Sequence, residues 1–99
     1  MSDTVVRVIA RVRANGTNVE QVRAILSTIV EPTRREPGCI SYHLLEHRSE
    51  SGEFATIEEW ANEKAEQNHF TTPHIQAALQ QLSGLLDREP DISRYTVVR

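Results

Sequence analysis

The chain has few of the side chains that mark specialised protein classes. A single cysteine, Cys39, excludes an internal disulfide and any zinc site built on several thiolates. The apolar runs all fall well short of the roughly 18 residues of a transmembrane helix, so we expect no membrane association. Isolated glycines exclude a phosphate-binding loop or a dinucleotide fingerprint. Eleven Lys and Arg against fourteen Asp and Glu give a net charge of −3, which argues against nucleic-acid binding.

Large aromatic side chains are also scarce, with one Trp, two Tyr and two Phe among 99 residues. A core built from so few large side chains is thin, and burial against a partner would stabilise it. The remaining composition, 38% hydrophobic and 25% charged, is typical of a globular domain. The first residues, Met1-Ser2-Asp3, lack the features of a secretory leader. We therefore expect a single cytoplasmic domain over residues 1–99.

Alternation of apolar and polar residues predicts four β-strands. They span residues 4–12, 39–47, 53–60 and 92–98. In the second strand the alternation places Ile40, Tyr42 and Leu44 on one face and Cys39 on the other. The short polar turn before the third strand predicts that the second and third strands form a hairpin.

Helical spacing predicts one long helix from Asn18 to about Arg35. Asn18 and Gln21 have the spacing of a capping box. Pro32 falls late in this segment, where it removes a hydrogen bond and should bend the last turn.

Two further helices are predicted between the third and fourth strands. Asn62 is positioned to cap a short helix over residues 63–69, and Thr72-Pro73 begins the next one. The apolar stripe of that last helix consists of Ile75, Ala78, Leu79, Leu82 and Leu86. The order β-α-β-β-α-α-β predicts an α+β, ferredoxin-like domain with a four-stranded antiparallel sheet.

The strands carry apolar residues on both faces, whereas a sheet covered by helices on one side usually has a polar second face. In the first strand Val5 and Ile9 lie opposite Val6 and Val8. The second sheet face is therefore expected to pack against another copy of the chain or to border a ligand cavity.

Four histidines are the candidate metal ligands. His43 and His47 are four residues apart on a strand, which separates them by about 13 Å. His69 and His74 flank the break between the last two helices and could approach each other, but the sequence offers no evident third ligand. We therefore expect no metal site.

Glu58 and Trp60 share one face at the end of the third strand. A carboxylate buried there would have a raised pKa and would need a partner. Either Glu58 belongs to a functional pocket, or it is a structural residue that pairs with Arg7 or Arg11. The alternation places Tyr42 among core residues rather than catalytic ones.

Three segments together resemble the antibiotic biosynthesis monooxygenase family of small dimeric α/β-barrel proteins. They are Glu31–Tyr42, Glu58-Glu-Trp60 and His69-Phe-Thr-Thr-Pro-His74, in the order and spacing of that family. The resemblance covers nearly the whole chain. It implies a ferredoxin-like protomer whose sheet packs against a second copy to form a dimeric α/β barrel.

The resemblance also implies an activity: oxidation of a small quinol, phenol or anthrone-like substrate by O₂, without a cofactor. The quinone-forming branch of the family has a Trp at the end of the third strand, which Trp60 matches. Its Asn four residues earlier is Thr56 here. His69 or His74 would be the catalytic base, and Glu58 would orient that base or the substrate.

Tyr42, Thr56 and Phe70 are expected to contact the substrate. Two alternatives stay open. The segment from His69 to His74 also resembles a branch that isomerises small phosphorylated sugar-derived signals, in which histidines would shuttle a proton. The protein could instead be a small-molecule-binding dimer without catalysis, with the two histidines capping helices. The haem-degrading branch is not matched, because the first strand has no Asn.

Overall fold

The computed structural model describes residues 5–99 and shows a ferredoxin-like α+β fold. The strands are β1 (Val6–Arg13), β2 (Cys39–Glu46), β3 (Glu53–Trp60) and β4 (Asp91–Tyr95). The helices are α1 (Val19–Thr28), α2 (Val30–Arg34), α3 (Glu63–His69) and α4 (Pro73–Leu82), with a 3-10 turn at Gly16–Asn18. The strands form one antiparallel sheet in the order β2-β3-β1-β4, so the predicted fold class is confirmed.

Strand β3 and helix α3 occupy the predicted residues. Strands β2 and β4 and helix α4 end earlier than predicted, and β1 ends one residue later, at Arg13. Strand β4 ends at Tyr95, and Val98 beyond it is fully exposed rather than part of the strand. Helix α4 ends at Leu82, so Leu86 lies in the following loop and not in the helical stripe. Thr4, the predicted start of the first strand, lies outside the described residues. In residues 5–99, every helix is too short or too polar to cross a membrane.

The long helix predicted after β1 is divided at Ile29 into α1 and α2. Pro32 has no N–H to donate to the carbonyl of Thr28, and its ring crowds that carbonyl. The interruption therefore falls one turn before the proline, not in the last turn of the helix. The capping box is also wrong, because the Asn18 side chain donates to the side-chain oxygen of Asn15 instead of binding the helix backbone.

Strand β2 contains a β-bulge between Cys39 and Ser41, which the simple alternation did not predict. Cys39 is paired with Trp60 and packs against the core, while Ile40 is the extra residue and is 54% exposed. The predicted faces of Cys39 and Ile40 are therefore wrong. Tyr42, which follows the bulge, points into the core as predicted.

Helix α3 is held at its start and along its inner face. Asn62 caps it by accepting a hydrogen bond from the backbone of Ala65 at 2.9 Å, as predicted. The buried carboxylate of Glu66 accepts two hydrogen bonds from Arg94 on β4, at 2.9 and 2.7 Å. This bidentate pair fixes α3 against the edge strand of the sheet.

The turn that leads into β2 packs directly against helix α3. Gly38 has φ of 85°, and a Cβ at this position would lie 2.5 Å from Cβ of Ala65. The carbonyl of Gly38 also accepts a hydrogen bond from the backbone of Ala61 at 2.7 Å. Only a glycine satisfies both the backbone conformation and the close approach.

Gly38→Ala is expected to destabilise the protein more than Gly84→Ala does. Both glycines have nearly the same positive φ, but nothing lies within 4 Å of a Cβ at Gly84. Gly84→Ala should therefore cost only the backbone term of about 1–2 kcal/mol. Gly38→Ala should add an overpacking term of about 1–3 kcal/mol. Urea unfolding of the two variants measures the difference, and equal losses would show that the contact with Ala65 is unimportant.

Candidate functional site

A narrow cavity of about 60 Å³ lies between the inner face of the sheet and the helices. Most of its wall is aliphatic, including Leu26, Ile29, Ile75, Ala78, Leu82 and Ile92. Its polar lining is concentrated in Tyr42, Thr56, Glu58 and His69, next to the ring of Phe70. The structure thus brings together five of the seven residues that the sequence singled out, and it leaves Trp60 and His74 outside the lining.

The carboxylate of Glu58 is buried in the cavity wall and accepts hydrogen bonds from two neighbours. The Thr56 hydroxyl donates to Oε2 at 2.7 Å, and Nε1 of Trp60 donates to Oε1 at 2.9 Å. Burial raises the pKa of Glu58, because the charged form loses its hydration. The two hydrogen bonds and the nearby His69 act in the opposite direction and do not cancel this effect.

The structural role considered for Glu58, a pair with Arg7 or Arg11, is wrong. Arg7 binds the neighbouring residue Glu59 at 3.1 Å instead. Successive residues of a strand point to opposite faces, so Glu59 lies on the outer face and Glu58 on the inner one.

Trp60 is fully buried behind the cavity wall rather than at its surface. Its indole nitrogen is bound to Glu58, and its ring lies 4.9 Å from the ring of His69, measured between centroids. Trp60 therefore contacts two residues of the cavity wall, Glu58 and His69, but does not line the cavity itself.

The carboxylate of Glu36 joins the two candidate histidines. Its Oε2 atom lies 2.8 Å from Nδ1 of His69 and 2.6 Å from Nε2 of His74. No role for Glu36 was predicted from the sequence. The available signal was its position directly before Pro37-Gly38, in the first of the family-like segments.

Thr72 fixes the segment that carries both histidines. Its hydroxyl donates to the backbone carbonyl of His69 at 2.7 Å and accepts from the backbone N–H of Ile75, as expected of an N-cap. The helix caps are therefore Asn62 and Thr72, whereas the side chain of His69 points to Glu36. This is contrary to the capping role considered for the histidines.

Glu36, His69 and His74 also offer the kind of atoms that bind zinc or iron, all within 4.8 Å of one another. Ligands around a tetrahedral zinc, with bonds of about 2.0–2.1 Å, lie about 3.3 Å apart. The observed separations of 2.8 and 2.6 Å are instead hydrogen-bond lengths. At these separations the three side chains form a hydrogen-bonded cluster, and Glu36 is the third group with a metal-binding atom that the sequence did not reveal.

Two further titratable groups lie near this cluster. Burial raises the pKa of the Tyr42 hydroxyl, and the neighbouring carboxylate of Glu58 adds to the effect. Burial also raises the pKa of the Cys39 thiol. Both groups are therefore neutral at neutral pH, and Cys39 has the character of an unreactive thiol.

The fold and this cavity define a ferredoxin-like α+β domain with a buried, mainly apolar pocket that is polar at one end. The family model described as antibiotic biosynthesis monooxygenase matches residues 5–81. The chain belongs to this family.

Similar proteins are known from several bacteria. Rv0793 of Mycobacterium tuberculosis is 35% identical over 83 residues, which cover 84% of this chain and 81% of that protein. Its solved structure has a TM-score of 0.90 over 97% of both chains. PA3566 of Pseudomonas aeruginosa is 27% identical, with a TM-score of 0.93 over 100% of this chain and 99% of that one.

A longer relative is the uncharacterized protein sll1783 of Synechocystis sp., 31% identical over 96 residues. The match covers 97% of this chain but 65% of that protein's length.

Glu58→Gln is expected to stabilise the protein at pH 8 and to have little effect near pH 4. When folding raises the pKa of a carboxyl, protonation of that carboxyl stabilises the native state. This stabilisation is lost as the pH rises through the pKa of the folded protein. Each unit by which the pKa is raised corresponds to about 1.4 kcal/mol. The variant removes the cost of burying a charge.

The measurement is the free energy of unfolding from urea titrations between these two pH values. Glu59→Gln, on the outer face, is the matched control and should not gain stability as pH rises. An effect of Glu58→Gln that does not depend on pH would contradict the assignment of a raised pKa to Glu58.

Proposed function

We propose that the protein is a monooxygenase that oxidises a small aromatic substrate with O₂ and needs no cofactor. The observation that carries the proposal is the placement of His69 and Glu58 together at the polar end of an apolar cavity. The apolar character of an aromatic ring matches the aliphatic walls, and its acidic O–H or C–H group matches the polar end.

His69 is the base in this proposal, because it lines the cavity and His74 does not. Removing a proton from a phenol, hydroquinone or anthrone leaves an electron-rich anion. Imidazole is suited to this step, since it exchanges protons near neutral pH. The anion can transfer one electron to O₂, and the two radicals then combine to form a carbon–oxygen bond.

The remaining steps conserve all atoms. The new peroxide takes up a proton on its outer oxygen. The carbon that carries the peroxide then loses its hydrogen as a proton, and the O–O bond breaks to give a carbonyl group at that carbon. The distal oxygen leaves as water. Glu58, whose pKa is raised by burial, is suited to donate a proton to the peroxide. The substrate thereby loses two hydrogens and gains one oxygen atom.

The cavity must enlarge to hold the proposed substrate. At about 60 Å³ it is far below the 300–1,000 Å³ typical of pockets for drug-sized ligands. An aromatic substrate, from a one-ring phenol to a three-ring anthrone, would need the wall to move outward. Leu79 of α4, which lies on this wall and is also exposed, marks the side on which the opening would occur.

His69→Gln is expected to reduce O₂ consumption about 10²–10⁴-fold, because a positioned general base contributes a factor of this size. The measurement uses an oxygen electrode with anthrone, naphthohydroquinone and simple phenols as probes. His47→Gln is the matched control, since His47 is exposed in the β2–β3 hairpin and should leave the rate unchanged. No O₂ consumption by the wild-type protein with any probe would contradict the proposal.

Isomerisation by proton transfer is the second candidate, and the presence of two proton-exchanging groups, Glu58 and His69, on one cavity favours it. This reaction needs no oxygen. Turnover of a small polar metabolite under anaerobic conditions, lost in His69→Gln, would support it over the oxygenase.

We also propose that the working unit is a homodimer formed through the outer face of the sheet. Leu45, Ile57 and Tyr95 are large apolar residues that this face exposes in the single chain, and Ile9 lies beside Ile57 in the strand register. Exposed apolar patches of this kind mark interaction sites.

A cytoplasmic location for the protein also stays a prediction.

Ile57→Glu is expected to convert the dimer to a monomer, because it places a charge at the centre of the apolar face. Sedimentation velocity at micromolar concentration measures the change. Ala77→Glu, on the exposed surface of α4, adds the same charge elsewhere and should leave the dimer intact. A wild-type protein that sediments as a monomer would contradict the proposed interface.

A further inference from the structure

One oxygen atom of Glu36 lies between two imidazole rings that differ in exposure. The side chain of His69 is 3% exposed, that of Glu36 is 8% exposed and that of His74 is 22% exposed. The cluster therefore runs from the cavity wall towards the surface, with a buried carboxylate in its middle. A buried carboxylate requires hydrogen-bond donors, and the two rings supply them.

The hydrogen bonds determine which nitrogen of each ring carries a proton. An ionised carboxylate can only accept, so Nδ1 of His69 and Nε2 of His74 must both donate to Glu36. The Thr72 hydroxyl, 3.3 Å from Nε2 of His74, already uses its hydrogen on the carbonyl of His69 and can only accept as well. The two neutral rings therefore hold opposite tautomers.

This arrangement leaves a specific atom of His69 free to act. With Nδ1 occupied as a donor to Glu36, Nε2 is the nitrogen with a lone pair, and it belongs to a ring that lines the cavity. When Nε2 takes a proton, the ring becomes a cation in contact with the carboxylate. The hydrogen bond to Glu36 is then charge-assisted, which stabilises the protonated base.

We propose that Glu36 is the positioning residue for His69: it fixes the Nδ1–H tautomer and directs Nε2 to the substrate, while His74 holds Glu36 from the other side. The inference rests on the proposed function in taking His69 as the base. The tautomers themselves are independent of any substrate.

Nitrogen NMR of the histidine rings in the wild-type protein tests the inference without turnover. Above the pH at which the rings become neutral, His69 should carry its proton on Nδ1 and His74 on Nε2. His69 protonated on Nε2, or the same tautomer in both rings, would overturn the proposal. This measurement needs no variant, so a failure of Glu36→Gln to fold would not remove the test.

Glu36→Gln provides the second measurement. An amide is uncharged and accepts less strongly, so both rings should lose their single tautomer. With a substrate identified in the O₂-consumption assay, kcat of Glu36→Gln should fall about tenfold or more, while KM changes little. The loss in kcat is part of the 10²–10⁴-fold contribution that a positioned base makes. The matched control is Glu31→Gln, an exposed carboxylate bound to Arg34, which should change neither tautomers nor kcat.

Failure of this inference and failure of the proposed function give different results. Opposite tautomers in a protein that never consumes O₂ would support the positioning role of Glu36 and contradict the oxygenase. Unchanged kcat in Glu36→Gln, in a protein that does consume O₂, would overturn the positioning role alone. Titration with Zn²⁺ is the remaining check: stoichiometric binding that shifts both ring signals would make the cluster a metal site and overturn the proposal.

Discussion

The close approach of Gly38 to Ala65 is the contact on which the geometry of the site depends. It brings the turn before β2 against helix α3, and the backbone bond from Ala61 to Gly38 holds it there. Glu36, two residues before Gly38, then reaches the last residue of α3, His69. A larger side chain at Gly38 would separate these segments, so a backbone requirement in one turn controls a side-chain contact in the pocket.

The two buried carboxylates near His69, Glu36 and Glu58, have contrasting environments. Glu36 accepts hydrogen bonds from two imidazole rings, which can take up positive charge. Glu58 accepts hydrogen bonds from the hydroxyl of Thr56 and the indole of Trp60, and neither of these groups can take up positive charge. Burial raises the pKa of Glu58. Pairs of titratable groups with such different surroundings are typical of sites that separate the roles of acid and base. The sequence shows only two glutamates, because their partners are set by the fold.

Local patterns predicted most of the fold and part of the site. Alternation and capping residues placed β3, α3 and the caps Asn62 and Thr72 correctly, because each depends on neighbours within a few positions. The bulge at Ile40 depends on pairing with another strand and was missed. Glu36 was missed for a similar reason, since it lies 33 residues from His69 and 38 from His74, and no spacing rule connects such distant positions.

The bulge in β2 also determines where the chain can change in length. Ile40 is the residue without a partner on β3, so its removal would leave Cys39 opposite Trp60 and Tyr42 opposite Glu58. A deletion after Tyr42 would instead turn every later side chain of the strand to the other face. Within β2, a one-residue deletion is therefore expected to be tolerated at Ile40 and not at the positions that pair with β3.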